Sequence, residues 1–289
     1  MSKATTFVFN LKSENILFDN LYAFFCSYKL GWQFFFLLIA CVYFICAWKA
    51  CSKMFRGNAL AAFVVYLAAF STFSYATNGI KAGAAGSIFL LAMAYRDNLK
   101  KCIPLIIVSF GFHHSMQLPA VVFIITLLCK NPKVYFWGWA MCLLVAFFHI
   151  TFFQNLFASM TDERGAEYLL SSSESIWGGK SGFRIDFVIY SAMPVIVGYY
   201  ILFKKKLRIS KFYASLLNLY MGTNSVWMLC MYASFTNRIA YLSWFLYPVV
   251  LIYPFLNENL GPSRYRTFSK IMLAHLGFTL FMQFVYYGN

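Results

Sequence analysis

Long apolar segments separated by short basic segments make up the chain from residue 32 onward. A helix of about 20 apolar residues is long enough to cross the ~30 Å hydrocarbon core of a bilayer. The spacing of these segments predicts an all-α polytopic membrane protein with about eight full transmembrane helices, at 32–48, 58–76, 79–95, 134–153, 187–203, 212–233, 239–256 and 271–287.

The segment 102–129 is apolar except around residues 113–117, and it fits either one long tilted helix or two short arms that reverse direction. Lys and Arg accumulate in cytoplasmic loops, and a reversal there puts 16 of the 24 basic residues on one side. A single crossing would place the basic cluster at 204–211 outside. The sequence therefore predicts a short-armed or re-entrant hairpin at 102–129, because each arm of ~18 Å is shorter than the bilayer core.

The composition supports a membrane protein and excludes several other classes. The chain is 61% hydrophobic and 11% charged, with a mean hydropathy of +0.66. The net charge of +15 does not indicate a nucleic-acid partner, because the basic residues fall in short clusters between apolar segments. The eight cysteines form no CxxC pair, so neither a disulfide framework nor a cysteine metal site is predicted.

The topology divides the chain into two predicted parts. Residues 1–31 form an external amphipathic segment with an interfacial helix near 16–25, and residues 32–289 form a single transmembrane domain. Within that domain, the external loop 154–186 carries five of the nine acidic residues and is interpreted either as a mobile lid or as a plain surface loop. The lysines of the external N-terminal segment oppose the positive-inside rule, which predicts a missing helix upstream.

The candidate site residues are ionisable groups that this topology gathers on the outer face, namely Lys81, His113, Arg184, Asp186 and Arg238. Ionisable residues near membrane depth are costly and usually mark a substrate path or reaction site. Three cations and a histidine suit a polyanion such as pyrophosphate, since Arg binds phosphate through two hydrogen bonds and Lys as a point charge.

Each candidate also has a purely structural interpretation. Lys81 follows Asn78, a predicted N-cap, and could be a lysine that reaches from an interface to water. His113 and His114 could supply a general base or a hydrogen-bond donor, or could simply be satisfied at a hairpin tip. Arg184 and Asp186 could form a local salt bridge. The chain has no DxD or His-x-x-His motif in its membrane segments, so no metal or other cofactor is predicted.

Four short motifs carry a family resemblance, and they follow one another in order between residues 77 and 244. The motifs are TNGIKAG at 77–83, FHHSM at 112–116, GFRIDF at 182–187 followed by YS at 190–191, and NRIAYLSW at 237–244. In these motifs the chain resembles the EpsG family of bacterial polysaccharide polymerases, relatives of the Wzy O-antigen polymerases. The family pattern has arginine where this chain has Lys81. His113 aligns with the family histidine, and we assign no family counterpart to His114.

The resemblance implies a metal-independent glycosyltransferase at the outer face of the bacterial inner membrane. It would join oligosaccharide repeats linked to undecaprenyl pyrophosphate into O-antigen, capsule or exopolysaccharide. Lys81, Arg238 and His113 would be catalytic, with Asn78, Arg184 and Asp186 completing the pyrophosphate site. The partners implied are the lipid-linked substrate, the bilayer and a chain-length regulator protein. Family members carry a further helix upstream, so we expect an N-terminally truncated polymerase of impaired activity. The alternative hypothesis is a flippase of lipid-linked oligosaccharide.

Overall fold

The computed structural model describes residues 7–159, 167, 169–170, 182–205, 209–233 and 236–286. The structure is 82% helical, with no strand among those residues, which confirms the predicted all-α class. The helices are α1 (Ile16–Ser27), α2 (Trp32–Phe55), α3 (Ala59–Leu67), α4 (Phe70–Asn78), α5 (Ile80–Ala94), α6 (Leu99–Phe112), α7 (Gln117–Leu128), α8 (Pro132–Phe147), α9 (Phe152–Ser159), α10 (Ile185–Tyr199), α11 (Lys211–Leu229), α12 (Thr236–Trp244), α13 (Tyr247–Asn257) and α14 (Arg264–Phe281).

The chain forms two compact units. The first unit contains Met1–Ala120, Phe255–Asn257 and Gly261–Asn289, and the second unit contains Val121–Pro254 and Glu258–Leu260. Helix α1 belongs to the first unit, and the division into an external segment 1–31 and a single membrane domain 32–289 stays a prediction. Most of the predicted lid 154–186 lies outside the described residues.

Four helical stretches in the described part of the chain are long and apolar enough to cross a membrane. They are Trp32–Leu67, Ile185–Lys204, Thr236–Asn257 and Arg264–Tyr286. A fifth candidate combines α8 with α9, which are bent by 98° relative to each other. Length and composition therefore support the membrane-protein class, but with four or five candidate spans rather than the eight predicted.

Breaks and polar residues account for the difference. The predicted span 58–76 is interrupted between α3 and α4, and the predicted span 79–95 yields only the 15 residues of α5. The predicted span 134–153 is interrupted after α8, where His149 adopts a left-handed φ of 54°. Helix α11 is 19 residues long, but polar residues such as Asn218 and Asn224 lower its mean hydropathy. Apolar composition alone could not locate these breaks.

The predicted interruption of segment 102–129 at the histidines is confirmed. Helix α6 ends at Phe112, His113 is extended with φ −150° and ψ 115°, and a 3-10 turn over His114–Met116 leads into α7. The helices on either side have 14 and 12 residues, which is short for a bilayer core. That both of them return to one side of the membrane stays a prediction.

The core of the first unit includes a close approach of helices α4 and α5 at Gly83. A Cβ atom on Gly83 would lie 2.9 Å from Cβ of Tyr75 and 3.5 Å from the ring of Tyr43. Both tyrosines are buried, and their ring centroids lie 6.4 Å apart. Gly83 is the last residue of the first family motif, and the structure gives it a packing role.

We expect Gly83→Ala to lower the apparent melting temperature of the purified protein in detergent. The added methyl group would meet Tyr75 near its backbone, where little adjustment is available, and overpacking of this kind costs about 1–3 kcal/mol. Gly138→Ala is the matched control, because nothing lies within 4 Å of a Cβ there and alanine favours a helix by about 1 kcal/mol over glycine. Equal melting temperatures for the two variants would contradict the packing role.

Candidate functional site

Lys81 lies in the first turn of α5 and is held by residues of α1. Its Nζ atom is 3.2 Å from Oδ1 of Asp19 and 4.8 Å from the ring centroid of Phe18. About a third of each charged side chain is exposed, at 32% for Lys81 and 34% for Asp19. A cation at a helix N-terminus opposes the helix dipole, so the carboxylate of Asp19 compensates an unfavourable position.

Asn78 does not cap the helix that carries Lys81, contrary to the prediction. Helix α4 ends at Asn78 and α5 begins at Ile80, with Gly79 as its N-cap and no side-chain capping bond. The tight turn at residues 77–80 is therefore a helix-to-helix junction in which Asn78 closes the first helix. A role of Asn78 in pyrophosphate binding stays a prediction.

His113 caps the 3-10 turn that follows it. Its Nδ1 atom accepts a hydrogen bond from the backbone N–H of Ser115 at 3.2 Å. A ring nitrogen that accepts carries no proton, so the proton of the neutral imidazole is on Nε2. This tautomer suits a hydrogen-bond donor at Nε2. A catalytic role of His113 stays a prediction.

His114 is anchored to the start of α1. Its backbone N–H donates to Oδ1 of Asn15 at 3.0 Å, and its Nδ1 atom lies 3.3 Å from the same oxygen and 3.3 Å from Oε1 of Glu14. Asn15 is itself 4% exposed. The structure thus gives His114 a structural role at the start of α1.

The residues of α1 that hold Lys81 and His114 are those that sequence reasoning missed. Glu14 and Asp19 are two of only four acidic residues outside the loop 154–186. Because the chain has so few acidic residues, each carboxylate is a candidate partner for a basic residue, and this rarity is the sequence signal that could have identified them. Their pairing with Lys81 and His114, 62 and 100 positions away, depends on the packing of α1 against the rest of the first unit.

Arg184 and Asp186 form a fork-like ion pair at the start of α10. Nε of Arg184 donates to Oδ1 of Asp186 at 2.9 Å, and Nη2 donates to Oδ2 at 2.6 Å. The guanidinium also lies 3.6 Å from the ring centroid of Phe187. Both charged side chains are largely buried, with exposures of 10% and 14%, so the pair predicted from the sequence is present and well shielded from water.

Arg238 lies in the first turn of α12 and is exposed. The neighbouring Asn237 reaches the hydroxyl of Tyr241 at 3.5 Å. Residues 234–235, part of the predicted outer turn, lie outside the described residues. Lys81 and His113 belong to the first unit, whereas Arg184, Asp186 and Arg238 belong to the second.

The comparison with protein families covers almost the entire sequence. The model of the EpsG family matches residues 3–289. The chain belongs to the EpsG family. EpsG proteins form a family of Wzy-like polymerases associated with membranes, so the resemblance seen in four short motifs is confirmed. No curated protein and no solved structure matches the chain.

Two of the EpsG motifs meet in a buried hydrogen-bonded cluster of the second unit. Oγ of Ser191 accepts from Nε1 of Trp244 at 2.8 Å and from Nδ2 of Asn224 at 3.2 Å. Nδ2 of Asn224 also donates to Oγ of Ser243 at 3.0 Å, and its Oδ1 accepts from Nε1 of Trp139 at 2.8 Å. The motif residues Ser191, Ser243 and Trp244 therefore hold α10, α11 and α12 together.

The same cluster supports the Arg184–Asp186 pair through aromatic contacts. The ring of Phe187, on which the guanidinium of Arg184 lies, is 4.9 Å from Trp244 and 6.2 Å from Trp227. Nε1 of Trp227 donates to Oγ1 of Thr236 at 2.9 Å. The aromatic residue beneath the Arg184 guanidinium is therefore packed against tryptophans that are themselves buried and hydrogen-bonded.

We expect Asn224→Ala to destabilise the second unit. The substitution removes the acceptor of Trp139 and a donor to Ser191 in a fully buried position, and an unsatisfied buried polar group costs about 1–3 kcal/mol. Ser225→Ala is the matched control, because that hydroxyl donates to the carbonyl of Met221 in its own helix. The measurement is the apparent melting temperature in detergent, and an equal change in both variants would exclude a special role for Asn224.

Proposed function

We propose that the chain polymerises oligosaccharide repeats carried on undecaprenyl pyrophosphate at the outer face of the bacterial inner membrane. The observation that carries the proposal is the EpsG family match over residues 3–289, which supports a polysaccharide polymerase in general terms. The lipid carrier, the membrane face and the roles of individual residues are the parts that we add.

The proposed reaction transfers the growing glycan from its carrier to a new unit. The bond between the anomeric carbon of the glycan and the pyrophosphate oxygen breaks, and a hydroxyl of the incoming lipid-linked unit forms the new glycosidic bond. Undecaprenyl pyrophosphate leaves with the bonding electron pair, and the hydroxyl proton passes to the leaving group or to solvent. Positive charge placed where negative charge develops is usually the largest catalytic contribution in such a step.

The two ion pairs suit different roles toward phosphate. The Lys81–Asp19 pair is about one-third exposed, and pairs of that kind contribute only about 0–1 kcal/mol. A phosphate group can therefore displace Asp19 from Lys81 at little cost. Removing a partner from a buried pair costs about 3–5 kcal/mol, so we assign the Arg184–Asp186 pair the role of a positioned, intact charge.

His113 contributes a hydrogen bond rather than proton abstraction in this proposal. Its Nδ1 atom is used by the Ser115 N–H, which leaves the proton on Nε2 and makes that nitrogen the donor. Such a donor fits a phosphate oxygen or the acceptor hydroxyl. Arg238 is exposed at the start of α12, where a helix N-terminus also favours an anion.

The charge of Lys81 is tested by comparing a neutral polar replacement with a charged one. We expect Lys81→Gln to reduce glycan in a complemented deletion strain to single repeats, because loss of one group that stabilises the leaving charge lowers the rate by about 100-fold or more. Lys81→Arg should retain long chains, since arginine occupies this place in the family pattern. The readout is glycan chain length on gels at equal membrane levels of the protein.

Lys12→Gln is the control for Lys81, because Lys12 is an exposed lysine that precedes α1 and should be replaceable. Long-chain glycan from Lys81→Gln would overturn the assignment of Lys81. Accumulation of lipid-linked repeats on the cytoplasmic leaflet of the deletion strain would instead favour the flippase hypothesis over a polymerase.

The roles of the two ring nitrogens of His113 can be tested independently with two amide substitutions. The amide of Asn can replace Nδ1 and keep the cap of Ser115, whereas the amide nitrogen of Gln can replace the donor Nε2. We expect His113→Gln to retain more polymerisation than His113→Asn, because the proposal depends on the Nε2 donor. The opposite order, with long chains from His113→Asn, would mean that His113 acts only as a structural cap.

A further inference from the structure

An apolar groove lies between α8 and the end of α10 in the second unit. Its volume is about 510 Å³, within the ~300–1,000 Å³ typical of sites for small ligands. The side chains of Phe136, Trp137, Ile196 and Tyr199 line it. Trp137 and Ile196 are 74% and 58% exposed, so the groove opens onto the surface.

The two walls of the groove are α8 and the C-terminal part of the α10 segment, and contacts between aromatic rings show which ends of these helices lie side by side. The ring of Phe136, near the start of α8, lies 5.9 Å from Tyr199 and 5.2 Å from Phe203, at the end of α10 and in the π-helical turn that follows. The first turn of α8 therefore lies beside the last turns of the α10 segment. One end of the groove is formed by a helix start and by a basic helix end.

That end of the groove is strongly cationic. Lys133 lines the groove itself. Lys130 is three positions before Lys133 in the sequence, and Lys204 and Lys205 directly follow the lining residue Phe203. All four lysines are exposed. The same end belongs to the side that the positive-inside rule assigns to the cytoplasm, where anionic lipids are concentrated. The groove thus combines an apolar channel with a positive charge at one end.

We propose that this groove binds a membrane phospholipid with an anionic headgroup. One acyl chain lies along Phe136, Trp137 and Tyr199, and the headgroup phosphate contacts Lys133. Charge complementarity selects this occupant, because an apolar chain joined to a single terminal anion is the arrangement that the groove and its lysines match. Basic pockets between membrane helices bind anionic headgroups for the same reason.

Within the second unit, the groove is separate from the Arg184–Asp186 pair. Val195, a lining residue in α10, comes 11 positions after Arg184, the N-cap of that helix, which is ~16 Å at 1.5 Å per residue. Occupation of the groove can therefore be measured without any glycan substrate. Its failure would leave the proposed polymerase activity untouched.

Tryptophan quenching by brominated lipids tests the proposal on the full-length protein in detergent. Brominated phosphatidylglycerol should quench the Trp137 fluorescence, defined as the difference between the native chain and Trp137→Phe, at a lower mole fraction than brominated phosphatidylcholine. Each lysine near an anionic headgroup is worth about a fivefold preference. We therefore expect Lys133→Gln to reduce the preference about fivefold, and high salt to reduce it in the native chain.

Lys270→Gln is the matched control, because it removes an exposed lysine of the first unit and should leave the preference unchanged. Equal quenching by both lipids in the native chain would overturn the proposal, as would a preference that survives Lys133→Gln. Displacement of brominated phosphatidylglycerol by undecaprenyl phosphate at a lower mole fraction than by unlabelled phosphatidylglycerol would also overturn it, since the occupant would then be a substrate-type lipid.

Discussion

The side-chain amide of Asn224 is shielded from water, so its hydrogen-bond partners must be other protein groups. This requirement fixes how the helices of the second unit pack against one another. The amide is fully buried in α11, accepts from Trp139 in α8, and donates to Ser191 in α10 and Ser243 in α12. Each of these bonds specifies a rotation and a height of one helix against another, because an unmade buried bond costs about 1–3 kcal/mol. The register of four helices is therefore set by polar groups in surroundings whose apolar packing alone would permit sliding.

The two candidate cation sites differ because their surroundings differ. The Arg184 guanidinium lies on Phe187, whose ring contacts Trp244, and Trp244 is hydrogen-bonded to Ser191. A rigid group of this kind holds a charge in one place, which is the condition for stabilising a transient anion. Among the described residues, Asp19 and the Phe18 ring lie against the ammonium group of Lys81, which is about one-third exposed. In the proposed reaction, the charge of Lys81 moves toward an incoming phosphate, whereas the charge of Arg184 is fixed in advance.

The sequence allowed the helical class, the interruption at the histidines and the Arg184–Asp186 pair to be predicted, because each depends on local patterning or on neighbours in the chain. The number of spans could not be predicted equally well, since the breaks near residues 68 and 148 fall within apolar sequence. Near them, carbonyl groups accept hydrogen bonds from distant side chains, Ala68 from Thr279 and Ala146 from Tyr232. The sequence marked Asp19 and Asn224 as unusual only because they are polar residues in an apolar chain. Which groups they bind depends on contacts 62 and 85 positions apart.

The presence of lysine at position 81 is consistent with how α1 surrounds it. An arginine there can hold either the Asp19 carboxylate or a phosphate through two parallel hydrogen bonds, as Arg184 engages Asp186. Lysine makes a single contact of 3.2 Å to Asp19 and retains two further N–H groups on a freely rotating ammonium. A lysine at this position is therefore easier to reorient, whereas an arginine would hold its partner in a fixed geometry. In the proposed reaction, Lys81 therefore brings a full positive charge to pyrophosphate once Asp19 is displaced.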